Sequence, residues 1–297
     1  MENNEQFSDW LIRYDHFFSV RYTKKQKQKF LQSFLTDLTH IRKDVELRGD
    51  KEDKYSYHAV VGDLHKAKYV IATYYDTPAF YQGSYHYFDT DDQRKKTIRP
   101  LLVYAIALLL IGGLFTYFIS IPFLKNDLLS FKTLLFVIGY FIYFKVLGKA
   151  SQGWPNRKNL IRNNSSLLLL LSYIANKKSD SKFAFVFFDN GSQGEHSIHK
   201  VLNKLNSKKQ SLFILDSVGS GGQLALVSKQ KFNGLDQDWL QLTDQSIPAN
   251  CYYIITTDDQ GPQFSEVELS KDALKAKDLN QENLTKVNRF LERLERR

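Results

Sequence analysis

Residues able to do chemistry are few in this chain of 297 and stand far apart. Tyr74 and Asp76, Asn163 and Asn164, Gly191 and Ser192, and Asp216 are polar groups beside apolar runs, the pattern of side chains delivered to the ends of buried elements. Glu195, His196 and His199 form another group, whose histidines at i and i+3 can share one helix face as metal ligands do. Surface histidines beside a cleft are the plainer reading. Asp258-Asp259 could join Asp216 and Asp76 around a hard cation, although Asp258-Asp259-Gln260-Gly261 also reads as a surface turn. Asp189 and Asp216 can be read as paired carboxylates for acid and base work, but nothing in their spacing demands it. No nucleophile stands in a recognisable arrangement with a histidine and a carboxylate. Gly219-Ser220-Gly221-Gly222 lacks the lysine and helix start of a phosphate loop. Cys251 is the single cysteine, which excludes a disulfide framework and a cysteine-based zinc site and fits a reducing compartment.

The elements that must position these groups alternate between strand and helix. From Phe7 to about Leu47 the pattern is helical and amphipathic, with Phe30, Leu31, Phe34, Leu35, Leu38 and Ile41 on one face. Lys24, Lys25, Lys27 and Lys29 read as a solvated or lipid-facing surface. Strands are expected over residues 55–61 and 68–75, the second ending in Asp76-Thr77-Pro78. Asn163-Asn164-Ser165-Ser166 reads as the N-cap of an apolar helix over residues 167–175. Further strands are expected over 182–188, 211–215, 224–228 and 252–256, with helices over 195–205 and 281–294. The alternation predicts an α/β fold, a mixed, mainly parallel sheet covered by helices on both faces.

That fold is interrupted. Residues 101–124 are uncharged and mostly apolar, long enough at helical rise to cross a hydrocarbon core of roughly 30 Å. After the short link 125–127, residues 128–148 are apolar except for Lys132 and Lys145, which sit where long side chains can snorkel. The pattern predicts a two-helix transmembrane hairpin over residues 100–148. Arg94, Lys95, Lys96 and Arg99 precede it and Lys149, Arg157, Lys158 and Arg162 follow, so both termini are expected in the cytosol, with the link outside the cell membrane. The N-terminus is polar, and no cleaved signal peptide is expected. The formal net charge of +9 gathers beside the spans, which points to anionic lipid of the bilayer as a partner and not to nucleic acid.

The order of the strand-end groups resembles the co-catalytic zinc aminopeptidases of metallopeptidase family 28. Ala72-Thr73-Tyr74-Tyr75-Asp76-Thr77-Pro78 looks like that family's G-A-H-Y-D-[ST]-P, and Asn163-Asn164-Ser165-Ser166 like its D-N-A-S-G. Phe187-Phe188-Asp189-Asn190-Gly191-Ser192-Gln193-Gly194 looks like F-F-D-x-E-E-x-G, and Leu215-Asp216-Ser217-Val218-Gly219 like L-D-M-x-G. Glu268-Leu269-Ser270-Lys271-Asp272-Ala273-Leu274 is similar to H-T-P-x-D-T-L. The resemblance runs across nearly the whole chain outside the hairpin. It implies a zinc-aminopeptidase-like (phosphorylase/hydrolase-like) fold, built in two parts from residues 1–99 and 149–297.

The resemblance also implies which positions once held metal. The zinc ligands fall on Tyr74, Asn163, Ser192, Asp216 and Glu268, the general base falls on Gly191, and Asp76 is the residue that orients the first ligand. Only Asp216 keeps a ligand's identity. Two adjacent zinc ions need several anionic carboxylates and neutral imidazoles, and without a base at Gly191 nothing takes a proton from water. The expectation is therefore a degenerate, membrane-anchored member without zinc or other cofactor. It would be a pseudopeptidase, working as a binding or scaffold module with an integral membrane protein at the cytoplasmic face. The alternative is a metal-dependent hydrolase with altered ligands, using Asp216, Glu268 and His196.

Overall fold

The computed structural model describes residues 4–50, 53–126, 131–151, 153–177, 182–193, 198, 201–202, 205, 209–258 and 267–297. The chain divides into two compact units, one of residues 1–78, 84–90 and 156–297, the other of residues 79–83 and 91–155.

The first unit is built on an eight-stranded sheet among the described residues. Its strands are β1 (Val45–Gly49), β2 (Tyr57–Val61), β3 (Tyr69–Tyr74), β5 (Phe183–Phe188), β6 (Ser211–Asp216), β7 (Gln223–Ser228), β8 (Leu240–Thr243) and β9 (Cys251–Thr257). Their spatial order is β1-β2-β5-β3-β6-β9-β7-β8. The central strands β5, β3, β6 and β9 run parallel, whereas β1 and β2 are antiparallel additions on one side and β7 runs antiparallel to β9 on the other. β3 and β5 are buried at every position, so they read as unbroken apolar runs and not as alternating ones.

One sheet face packs Ile71, Phe185, Phe187 and Phe213 against helices α1 (Asn4–Ile12), α2 (Lys24–Ile41) and α6 (Ser165–Asn176), and against the closing helix α7 (Gln281–Glu295). Each large apolar side chain buried there contributes about 1.5–3 kcal/mol. Val70, Ala72, Val186 and Ile214, pointing the other way, are buried as well. α2 begins in a capping box, with Thr23 Oγ1 accepting from the Gln26 amide at 3.4 Å and Gln26 Oε1 accepting from the Thr23 amide at 2.9 Å. Two-residue strands β4 (Tyr85–His86) and β10 (Glu268–Leu269) pair antiparallel in a separate ribbon.

Three local expectations are corrected. The helical pattern assigned to residues 7–47 is broken: α1 runs into a π-turn over Arg13–Phe17, α2 ends at Ile41, and Val45–Gly49 is an edge strand pairing with β2. The short alternating Val-Glu-Leu-Arg stretch satisfies strand periodicity as well as helical periodicity. Asn163 and Asn164 do not cap a helix; they lie in a π-turn, Leu160–Asn164, that leads straight into α6. The Asn164 side chain is used elsewhere, its Oδ1 accepting from the fully buried guanidinium of Arg21 at 2.7 Å. Lys27 is not surface: it is 9% exposed, and its ammonium is taken by a buried carboxylate. The helix expected over 195–205 falls mostly outside the described residues.

In the second unit α3 (Thr90–Phe115) continues through a π-turn, Thr116–Ser120, into α4 (Ile121–Asn126), and α5 (Phe131–Ser151) follows. Among the described residues, two helices are long and apolar enough to cross a membrane: Thr90–Phe123, with mean hydropathy 2.3, and Thr133–Ser151, with mean hydropathy 1.5. The first begins earlier than the apolar run because its charged turns, Asp91 to Arg99, are helical too, and Pro100 lies inside it. Polar groups within the spans bond to each other. Tyr140 OH reaches Thr116 Oγ1 at 2.5 Å and donates to Ser120 Oγ at 2.9 Å, and Tyr143 OH donates to the Leu108 carbonyl at 2.9 Å.

Candidate functional site

β5 and β6 lie on opposite sides of β3, so the carboxyl ends of these strands are where an open α/β sheet carries its site. β3 ends in Tyr74, Tyr75 and Asp76. β5 leads through Asn190, in the left-handed conformation at φ 60°, to a short turn over Gly191–Gln193. β6 ends in Asp216, followed by Ser217 at φ 58°. The π-turn before α6 adds Arg162 and Asn163. Such turns recur at functional sites.

Asp216 is the centre of one cluster. Its Oδ2 accepts from Tyr74 OH at 3.0 Å and from Tyr85 OH at 2.9 Å, and its Oδ1 accepts from Ser217 Oγ at 2.7 Å. Burial pushes the Asp216 carboxyl above its ordinary value, and the positive charge of Arg162 pulls it back. The Arg162 guanidinium lies 3.8 Å from the ring centre of Tyr85, and one of its nitrogens donates to the Ser192 carbonyl at 3.4 Å. Burial first and the Asp216 charge second hold Tyr74 and Tyr85 well above the usual tyrosine value, so both remain phenols that donate.

Asp76 is the centre of the second. Its Oδ1 accepts from the amide of Gly191 at 2.8 Å and from that of Ser192 at 3.3 Å, and Ser192 Oγ donates to its Oδ2. The Asp76 carbonyl accepts from Asn163 Nδ2 at 2.6 Å, while Asn163 Oδ1, buried, has no hydrogen-bond partner among the described residues. Asp76 thus ties β3 to the loop after β5 and to the turn before α6.

A third group stands beside these. Lys27 Nζ lies 2.6 Å from Asp189 Oδ1, and the Asp189 amide donates to His58 Nδ1 at 3.2 Å. Burial, followed by the charge of Asp76, pushes the Asp189 carboxyl up to about 6 despite Lys27. Asp189 and Asp216 therefore serve different partners. Glu268 turns to His86, its cross-strand neighbour in the β4–β10 ribbon, and both side chains are about a quarter exposed, at 28% and 25%.

Tyr74, Asp76, Asn163, Gly191, Ser192 and Asp216 are thus brought together, and Glu268 is held by a different partner. Glu195, His196, His199 and Asp259 lie outside the described residues. Asp258 accepts from the amide and hydroxyl of Ser270, at 3.0 and 2.7 Å. Arg162, Tyr85, Lys27 and Ser217 were not among the residues expected at the site. In the sequence Arg162 reads as part of the basic stretch with Arg157 and Lys158, yet it is 4% exposed. No local signal distinguishes it from Arg157 or Lys158.

The side chains present do not fit a pair of zinc ions. Asp216 has already accepted three hydroxyl hydrogens, both phenols are held neutral, and Asn163 and Ser192 carry no charge to offset two dications. A Cβ on Gly191 would fall 2.3 Å from Tyr74 Cβ and 2.5 Å from Phe188 Cε2, so a glutamate has no room there. Among the described residues no group of three or more His, Cys, Asp and Glu could hold a metal ion.

No protein-family model and no curated protein matches the chain. Solved structures do match. The glutaminyl cyclase of Tannerella forsythia aligns over 97% of this chain and 96% of its own, with TM-score 0.53 and 12% identity. A Zn-dependent exopeptidase of Parabacteroides distasonis aligns over 97% and 94%, with TM-score 0.49 and 9% identity. The LapA aminopeptidase of Legionella pneumophila aligns over 96% and 68%, with TM-score 0.48 and 10% identity. At such identities the first of these likenesses is one of fold alone. The chain has an α/β fold, a mixed, mainly parallel sheet with helices, similar to that of the glutaminyl cyclase.

Proposed function

We propose that this chain is a membrane-anchored pseudopeptidase: a peptidase-fold domain without zinc chemistry, held at the cytoplasmic face of the cell membrane by a helical hairpin, where it binds an integral membrane partner. The observation that carries the reading is the state of Asp216. The one carboxylate that keeps a ligand's identity is satisfied by Tyr74, Tyr85 and Ser217, with the Arg162 cation supplying charge compensation from within the chain. A metal site must present lone pairs to a cation. Here three of the roughly four lone-pair positions of Asp216 are occupied by hydrogen-bond donors, and a Cβ at Gly191 would meet Tyr74 at 2.3 Å.

The membrane part rests on two helices of sufficient length and apolarity, almost unburied, and on basic residues at both of their outer ends. A domain fixed beside the bilayer meets membrane proteins and lipids far more often than soluble peptides. With glycine at position 191, where the resembled peptidases carry their general base, recognition is the work we assign to this surface.

The test uses the full chain purified in mild detergent. Metal analysis after incubation with zinc, with assays on aminoacyl and N-terminal glutaminyl peptides, is expected to show no stoichiometric metal and no turnover. Crosslinking in membranes is expected to recover a discrete integral membrane protein. Two tightly bound zinc ions per chain, with peptide turnover lost in Asp216→Asn, would replace this reading with a hydrolase of altered ligands.

A further inference from the structure

The second unit holds, besides its helices, the stretch of residues 79–83. That stretch is strapped to both of the long helices. The Phe80 amide donates to the Trp154 carbonyl at 2.6 Å, Ala79 bridges Pro155, and the Gln82 amide donates to the Lys96 carbonyl at 3.3 Å. After Ser151 the chain turns back: the Gly153 amide donates to the Ala150 carbonyl at 3.1 Å, with Gly153 at φ 82°, a conformation that favours glycine. The turn brings Trp154 to the first turn of the apolar run that starts at Leu101. There Trp154 and Phe80 line a small cleft of about 10 Å³ together with Pro100, Leu101 and Tyr104. By sequence Phe80 and Trp154 stand outside the hairpin of residues 100–148; in space they stand at its edge.

These rings are not packed away. Trp154 is 51% exposed, and Phe80 and Tyr104 are exposed as well. Lys96 is taken by Asp92 at 2.6 Å, but Arg99 and Lys149 are exposed and have no carboxylate partner among the described residues. Arg99 precedes Tyr104 on the same helix by about 7.5 Å of helical rise. The interfacial layer on one side of a bilayer, between hydrocarbon and water, is roughly 5–7 Å deep. Aromatic rings at the edge of an apolar run, with free cations one such depth farther out, are in the order that hydrocarbon, interface and phosphate impose. A protein partner does not require that order.

We propose that Phe80, Tyr104 and Trp154 form an aromatic anchor seated in the interfacial layer of the leaflet, with Arg99 and Lys149 against the phosphates of anionic phospholipid. The inference rests on the reading of the two helices as spans. It extends the membrane-embedded part to residues 79–83 and 153–155, which are then an anchor and not linkers.

The full chain reconstituted in phosphatidylethanolamine and phosphatidylglycerol vesicles tests this, with Trp154 as the reporter because Trp10 and Trp239 are buried. Phospholipid brominated near the glycerol end of its acyl chains is expected to quench tryptophan emission severalfold more than phospholipid brominated at the chain ends, and Trp154→Phe should remove that quenching. Brominated phosphatidylglycerol should quench more than brominated phosphatidylcholine, and Arg99→Gln combined with Lys149→Gln should erase the difference; no difference in the wild-type chain overturns the phosphate contact. Leu110→Trp in the Trp154→Phe chain, an exposed position deeper in the apolar run, reports on the span itself and should be quenched best by bromines at the chain ends. If that reporter is quenched by lipid while Trp154 answers only to aqueous acrylamide, the anchor falls and the hairpin stands. If lipid quenches neither, both fall. A Trp154 shielded from lipid and acrylamide alike would be covered by a second copy of the chain, which also overturns the anchor.

Discussion

Tyr74 leaves no room for a side chain at Gly191: any Cβ added there begins 2.3 Å from the Cβ of Tyr74 and 2.6 Å from its Cγ. A histidine at position 74 has the same two atoms. A histidine at position 74 would therefore not make room for a glutamate at position 191. Gly191→Ala is expected to lower stability by about 1–3 kcal/mol through overpacking, seen as an earlier midpoint in chemical denaturation. Adding Tyr74→His should recover none of it and create no zinc binding. Full recovery in the double variant would show that the clash comes from the tyrosine ring beyond Cγ and not from the atoms a histidine shares.

Arg162 and Asp216 predict a pH-dependent defect. Arg162→Met removes the charge that holds the buried Asp216 carboxyl down, so that group's value in the folded state, already raised by burial, rises further. An acid whose folded value is raised binds more protons folded than unfolded, so its contribution to stability falls as pH rises through the window between the two values. The variant is expected to lose about 3–5 kcal/mol at neutral pH and clearly less at pH near 5. Equal losses at both pH values would mean that Arg162 acts by packing on Tyr85 alone.

Asp189 makes a similar prediction with a defined window. Its carboxyl lies at about 6, against an ordinary 3.8, with Lys27 still in place. The raised value means that folding disfavours the ionised form, and the penalty grows as pH rises from about 4 to about 6, to about 3 kcal/mol when complete. Asp189→Asn removes the titration and keeps the shape. Its stability relative to wild type is expected to climb across that window and then level off, read from urea midpoints at successive pH values. A flat difference would remove the buried carboxyl from the pH dependence.

How much of this was legible in the sequence depends on how local the causes are. β3, β5 and β6 announce themselves because strands covered on both faces need continuous apolar runs, and the polar residues just beyond them mark the site. Arg162 could not be placed, because its neighbours in the chain are the basic flank of the hairpin while its partners come from positions 85 and 192. Lys27 failed in the same way: four lysines within six residues look like a solvated turn, and only the distant Asp189 shows that one of them is buried. β4 is two residues long and has no periodicity to read, yet it delivers Tyr85 to Asp216. Asn164 has the composition of a cap, but the demand of the buried Arg21 guanidinium is stronger than that of a helix terminus continuous with a π-turn.

The last prediction concerns orientation. Burial of Arg162 removes it from the juxtamembrane charge, but Arg94, Lys95, Lys96 and Arg99 still precede the spans, and Lys149, Arg157 and Lys158 still follow them. The link offers only Lys125, and topology follows lysine and arginine near the span ends, so the pairing of Lys96 with Asp92 at 2.6 Å does not weaken the bias. Because the native Cys251 is fully buried, a membrane-impermeant maleimide should react little with the wild-type chain. In intact cells it is expected to label Asn126→Cys in the link and to spare Lys271→Cys, which should react only after lysis. Labelling of Lys271→Cys in intact cells would invert the hairpin. The domain would then lie outside the cytosol, where its single reduced cysteine and its basic flanks would have no explanation in the membrane's charge asymmetry.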